Sequence, residues 1–93
     1  MIRSFDDAET ESICKGNKSK NLPPTIQNAA RRELRILEAA KTVEDLKIPP
    51  GNRLEKLAGS LDRFYSIGIN EQWRIVFNFE NGGAENVGIA DYH

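Results

Sequence analysis

The 93-residue sequence predicts a small α+β domain in which two N-terminal helices pack on one face of a mostly antiparallel twisted sheet, in the order β-α-α-β-β-β. Three observations predict it. Residues 64–69, 73–80 and 84–92 alternate apolar with polar or small side chains, the period of half-buried strands. Ile26, Ala30, Leu34, Leu37 and Ala40 recur at helical spacing, as on a helix that lies on a sheet. Trp73, Ile75, Phe77 and Phe79 share one face of the middle strand, which gives that helix a surface to cover.

Taken in order, residues 1–5 form a short strand candidate. Asp6 is placed to cap a first helix, with Glu9 three residues on; the helix runs to about Lys15 and stops at Gly16, where a left-handed residue is needed. Residues 17–24 read as a basic, Pro-ended loop and the most mobile part of the chain. The main helix covers residues 25–41, with Arg31, Arg35 and Glu38 on its solvated face and Arg35 near enough to Glu38 to pair. Thr42 and Asp45 form a capping box opening a helical turn over Val43–Lys47, which Pro49 and Pro50 end. Residues 52–57 read as a further strand, leading to a Gly59-Ser60 turn.

Register follows from parity, because a slip of one residue turns a strand's apolar set away from the core. A three-residue loop Asn81-Gly82-Gly83 pairs Phe77 with Val87 and Ile75 with Ile89, whereas a two-residue Asn81-Gly82 turn sets Phe77 against Asn86 and is rejected on that ground. A loop at Asn70-Glu71-Gln72 pairs Ile67 with Ile75 and Tyr65 with Phe77. On the opposite face Arg74 then stands between Gly68 and Ala90, with Tyr92 diagonally beside it. A guanidinium flanked by two residues with almost no side chain stands in a hollow with room for a ligand.

Ninety-three residues make one domain, spanning 1–93. No apolar run approaches the roughly 20 residues that span a bilayer, and the first residues are not those of a signal peptide. One cysteine, Cys14, excludes an internal disulfide, suits a reducing cytoplasm and reads as a small buried helix residue. One His and one Cys argue against a transition-metal site, so no metal or cofactor is expected. The net charge of −1 hides an asymmetry: residues 15–35 hold six basic residues and a single acid, Glu33, whereas residues 75–93 hold three acids and no Lys or Arg. Such a chain does not cling to free nucleic acid by charge alone.

The candidate site residues surround Arg74, whose planar fork suits phosphate oxygens. Tyr92 can stack on an unpaired base or exchange a proton, and His93 is suited to proton transfer near neutral pH. Asp91 falls on the core-side parity and suits an orienting role toward Tyr92, His93 or an Arg. Arg53, Lys56 and Arg63 are candidates to line the same cleft as substrate-binding cations. Each is also readable as a solvated charge.

The chain resembles the RelE/ParE superfamily and, within it, the HigB-type "plasmid maintenance killer" toxins. The resemblance rests on Met1-Ile2-Arg3-Ser4-Phe5, on Pro50-Gly51-Asn52-Arg53-Leu54, on Ser66-Ile67, Ile69-Asn70, Gln72-Trp73-Arg74-Ile75 and Phe77, and on the terminal Asp91-Tyr92-His93. It implies a type II toxin that cuts mRNA in the ribosomal A site, and a helix-turn-helix antitoxin partner whose complex with the toxin binds operator DNA and represses the operon. The resemblance also implies roles: Arg74 stabilises phosphate charge, Tyr92 and His93 position the nucleotide and move protons, and Asp91 is the adjacent acid. The chemistry implied is metal-independent attack of a ribose 2′-hydroxyl on the neighbouring phosphate.

One departure bears on activity. Many relatives carry His-Pro-Leu-Lys-Gly where this chain has Glu55-Lys56-Leu57-Ala58-Gly59, so the family's His falls on Glu55 and its Lys on Ala58. Lys56 compensates only if it turns toward the cleft. Weaker or more selective cleavage is expected. The alternatives are a toxin of this fold that acts by binding, on DNA gyrase or ribosome assembly, and a weak toxin serving mainly as co-repressor.

Overall fold

The structure is a computed structural model, and it describes residues 1–57 and 63–91. Helix α1 (Ala8–Cys14) is capped by Asp7, whose Oδ1 accepts the Thr10 N–H at 2.7 Å. Asp6, expected as the cap, is held one step earlier because its own N–H donates to the Val87 carbonyl. The helix ends at Lys15, followed by Gly16 in the left-handed region at φ 92°. Burial, and then the nearby Glu38 and Glu11, push the Cys14 thiol above its ordinary pKa.

The loop before α2 is not the loose segment its composition suggests. Glu9 accepts from the Ser19 hydroxyl and from Asn21 Nδ2, and the Gln27 amide bonds to Ser19 and Leu22. Helix α2 (Pro24–Ala39) begins on a proline, which needs no N–H partner there, and buries Ile26, Ala30, Leu34 and Leu37. Arg31, read as solvated, instead crosses to α1: its Nε donates to the Ile13 carbonyl and its Nη2 to that of Asn17, both at 3.1 Å. Glu38 accepts the Ile2 N–H at 2.5 Å.

The capping box forms, and a 3-10 turn covers Val43–Lys47. N–H donors from Lys41 and Thr42 hold the Asp45 carboxyl below its ordinary pKa. A second 3-10 turn, Pro50–Asn52, delivers the chain to Arg53 in the left-handed region at φ 50°. Strand β1 is therefore only Glu55–Lys56, shorter than expected, because the backbone of residues 52–53 is coiled rather than extended. The expected Gly59-Ser60 turn lies outside the described residues.

Strands β1, β2 (Phe64–Gly68), β3 (Trp73–Glu80) and β4 (Gly83–Asp91) form an antiparallel sheet in that order. The N-terminal segment touches the free edge of β4 as two parallel bridges, Ile2 to Ala84 and Phe5 to Val87, rather than as a continuous strand. Ile67 pairs with Ile75, Tyr65 with Phe77, and Arg74 with both Gly68 and Ala90, as parity requires.

The β3–β4 hairpin corrects one expectation and explains it. Glu80 pairs with Gly83, so the turn is the two-residue Asn81-Gly82, both at positive φ. The register nevertheless reaches Ile75–Ile89, because a bulge intervenes between Val76 and Asn78 opposite Asn86, itself at φ 54°. One extra residue does the work assigned to a longer loop. The core lies between this sheet face and α2, with Ile67, Ile75 and Phe77 fully buried and Trp73 and Phe79 packed against them. Among the described residues no helix is long and apolar enough to cross a membrane.

Candidate active site

The outer face of the sheet, turned away from the core, carries Ser66, Gly68, Arg74, Val76, Gly88 and Ala90, by the pairing of Ser66 with Val76, Val76 with Gly88, and Arg74 with Gly68 and Ala90. Arg74 is only 7% exposed there. Its Nε donates to Ser66 Oγ at 2.8 Å and its Nη2 to the Arg53 carbonyl at 2.5 Å. Glu55 Oε2 lies 3.8 Å from the same nitrogen, and its side chain is 62% exposed. The guanidinium is thus held by fixed backbone and hydroxyl oxygens, with a carboxylate that water can reach beside its Nη2.

The open hollow expected beside Arg74 is filled. The Arg53 guanidinium lies over Gly68, so close that a Cβ there would meet Arg53 Nη2 at 2.8 Å, and it donates to the Asn70 carbonyl at 2.5 Å. The left-handed turn at Arg53 makes this approach, and Asn52 pins it: buried, its Nδ2 donates to the carbonyls of Leu46 and Ile48. The space that Gly68 leaves is space for an arginine of the chain itself. Arg53 therefore contributes twice: its backbone carbonyl holds Arg74, and its guanidinium covers Gly68, the residue paired with Arg74.

Other expected members fall differently. Lys56 pairs with Tyr65, and Tyr65 with Phe77, so Lys56 belongs to the core-side parity and not to the Arg74 face. The reason is alternation: Glu55, opposite Ser66, takes the place on the Arg74 face. Arg63 precedes Phe64, at the far end of β2 from Gly68, about 16 Å along the strand from the Arg74 row. Asp91 pairs with Trp73 and accepts from Gln72 Nε2 at 3.1 and 3.3 Å. Tyr92, His93 and Ala58 lie outside the described residues.

Ser66, Glu55 and Gln72 went unassigned on sequence. For Ser66 the pointer was its parity with Gly68, and for Glu55 its offset of one from Lys56. For Gln72 it was the Gln72-Trp73-Arg74 run, although no role was read for it in its turn. Next to Ala90 and along the same face runs a groove of about 380 Å³, lined by Phe64, Val76, Gly88, Asn86 and Asp6.

Comparison with known proteins shows which family the chain belongs to. Residues 3–93 match the model of a family described as RelE-like toxin of type II toxin-antitoxin system HigB. The chain belongs to the HigB-like toxin family. It is 42% identical over 87 residues to "Toxin HigB-1" of Vibrio cholerae, covering 92% of each chain. It is 26% identical over 93 residues to "Endoribonuclease HigB" of Proteus vulgaris, covering all of both. A crystal structure of YafQ from E. coli strain BL21(DE3) shares the fold at TM-score 0.58 and 13% identity, covering 95% of this chain and 92% of that one. Membership of a type II family implies a cognate antitoxin as partner. In this HigB-like toxin Arg74 has an acid, Glu55, as its ion-pair partner among the described residues.

Proposed function

We propose that this toxin is an endoribonuclease that cuts mRNA on the ribosome without a metal ion, stopping translation in the cytoplasm. A helix-turn-helix antitoxin neutralises it, and the two together repress their operon. The observation that carries the proposal is the placement of Arg53 on the outer face, where its carbonyl holds Arg74 and its guanidinium lies over Gly68, the cross-strand neighbour of Arg74. Membership of the family and the name of the Proteus vulgaris relative support the class of activity.

In this reading the exposed Arg53 meets the scissile phosphate first. Arg74, its orientation fixed by Ser66 and the Arg53 carbonyl, takes the phosphate charge in place of Glu55. A diester phosphate carries one negative charge, no more than the carboxylate it displaces. The transition state of 2′-hydroxyl attack carries more, so exchange with Glu55 favours the transition state over the ground state. The 2′-oxygen bonds to phosphorus, its proton passes to a base, and the 5′-oxygen leaves with a proton, giving a 2′,3′-cyclic phosphate and a 5′-hydroxyl. Tyr92 and His93 are assigned these proton movements, and Asp91 orients them. The ribosome presents the message, which offsets the lack of basic residues from residue 75 onward.

The test is brief expression without antitoxin, followed by mapping of mRNA 5′ ends. New ends within codons are expected from the wild type. Arg74→Ala should reduce them by about 10²–10³-fold, the usual cost of losing one charge-stabilising donor. Unchanged cutting by this variant refutes the assignment of Arg74.

A second reading is favoured by the burial of Arg74: a toxin that arrests growth by binding a protein target or the ribosome. It expects arrest to survive Arg74→Ala, with no new mRNA ends from either form.

A further inference from the structure

The groove beside Ala90 has no part in the phosphate chemistry, yet it opens on the same face. Its floor is made by Val76 and Gly88, paired across β3 and β4, with Phe64 as one wall. A Cβ at Gly88 would meet Asp6 Cβ at 3.2 Å, so glycine keeps this part of the floor open. Its volume, about 380 Å³, is at the small end of the range for small-molecule sites, roughly 300–1,000 Å³. Its rim is polar and one-sided. Asp6 contributes an exposed carboxylate, and Asn86 donates its Nδ2 to Asn78 Oδ1 at 3.1 Å. An apolar slot with a carboxylate at its edge suits a planar ring that carries an amino group, and it repels a phosphate.

Val76 follows Arg74 by two residues on the same face, about 7 Å along the strand. A base attached to a phosphate held at Arg74 can therefore reach the groove. We infer that this groove is a nucleobase subsite for a nucleotide flanking the scissile phosphate, in which Phe64 and Val76 contact the ring face and Asp6 accepts from the exocyclic amine of adenine or cytosine. Uracil, which presents a carbonyl at that edge, meets the Asp6 carboxylate unfavourably. The inference deepens the proposed mRNA cleavage and rests on it for the identity of the ligand.

Two measurements test it separately from the cleavage reading. In the first, ribosomes are programmed with messages that differ by one base on either side of the cut, and cleavage rates are compared. The wild type should favour adenine or cytosine over uracil at one flanking position by about tenfold. Asp6→Ala should cut all four with about equal efficiency; Asp7, not Asp6, caps α1, so the helix cap is kept. In the second, ¹⁵N-labelled toxin is titrated with adenosine 5′-monophosphate and with uridine 5′-monophosphate. The amides of Asn86, Gly88 and Ala90 should shift with the adenine nucleotide and much less with the uracil one.

Cutting with no base preference at either flank, or a preference that Asp6→Ala retains, overturns the subsite and leaves cleavage standing. Shifts confined to residues elsewhere also overturn it. Growth arrest without cutting, accompanied by the expected shifts, supports the groove as a base site and overturns mRNA cleavage instead.

Discussion

The two faces of this sheet are buried by opposite means. On the helix side Ile67, Ile75 and Phe77 lose all exposure to apolar neighbours. On the outer side Ser66 and Arg74 are nearly as hidden, at 0% and 7% exposure, but there Arg74 is bonded to a hydroxyl and a carbonyl, and a second arginine lies over the neighbouring Gly68. The first face is sealed by surface removed from water, which no particular partner has to supply. The second is sealed by directed bonds to a charge, with the exposed carboxylate of Glu55 beside it. The comparison teaches where stability and chemistry reside, and substitutions can break either side of it.

The largest effect belongs to the helix face. Phe77→Ala should cost about 3–5 kcal/mol in urea unfolding, a large share of what a domain of this size has. Arg74→Ala should cost less, about 1–3 kcal/mol, because Ser66 and the Arg53 carbonyl lose a buried partner rather than apolar packing. If its cost equalled that of Phe77→Ala, the outer face would be a second core and not a site. Gly68→Ala sharpens the contrast further. Its Cβ displaces only the end of the exposed Arg53 side chain, so thermal unfolding should move by the equivalent of about 0.5 kcal/mol or less while mRNA cutting falls.

Glu33 breaks the pattern on the helix side, and its prediction concerns pH. It is 6% exposed in α2, with Oε2 lacking a hydrogen-bond partner among the described residues. Burial raises its carboxyl above the ordinary pKa of 4.5. A raised folded-state pKa means that the native form holds the proton more tightly. This group's contribution to stability is therefore fully present below about pH 4.5 and is lost as pH rises through the higher folded value. Glu33→Gln should unfold at a higher temperature than the wild type at pH 7, with the advantage shrinking toward pH 4. An advantage independent of pH would contradict this account.

Much of this was legible in the sequence because period and parity are strict. Alternation set which residues share a face, and so placed Arg74 between Gly68 and Ala90 and gave Ile75–Ile89 correctly. It could not show the bulge at Asn86, since a two-residue turn plus one extra residue gives the same distant pairing as a three-residue loop. Nor could it show that Arg53 fills the notch, because that depends on a left-handed turn and on a buried Asn52 that pins it. Lys56 and Arg63 were grouped with Arg74 by charge alone, and strand alternation and strand length part them from it. The loop around Ser19 looked mobile from composition, yet Glu9 and Gln27 bond to its polar groups.

The arginine pair is tested most directly by Arg53→Ala, because Arg53 is exposed and its backbone carbonyl, which holds Arg74, survives the change. With mRNA 5′ ends mapped after brief expression, the wild type should produce new ends inside codons on ribosomes. Arg53→Ala, at an unchanged unfolding temperature, should lower their abundance by about 10²-fold. The same ends at the same abundance in this variant would contradict a phosphate site built from two guanidiniums.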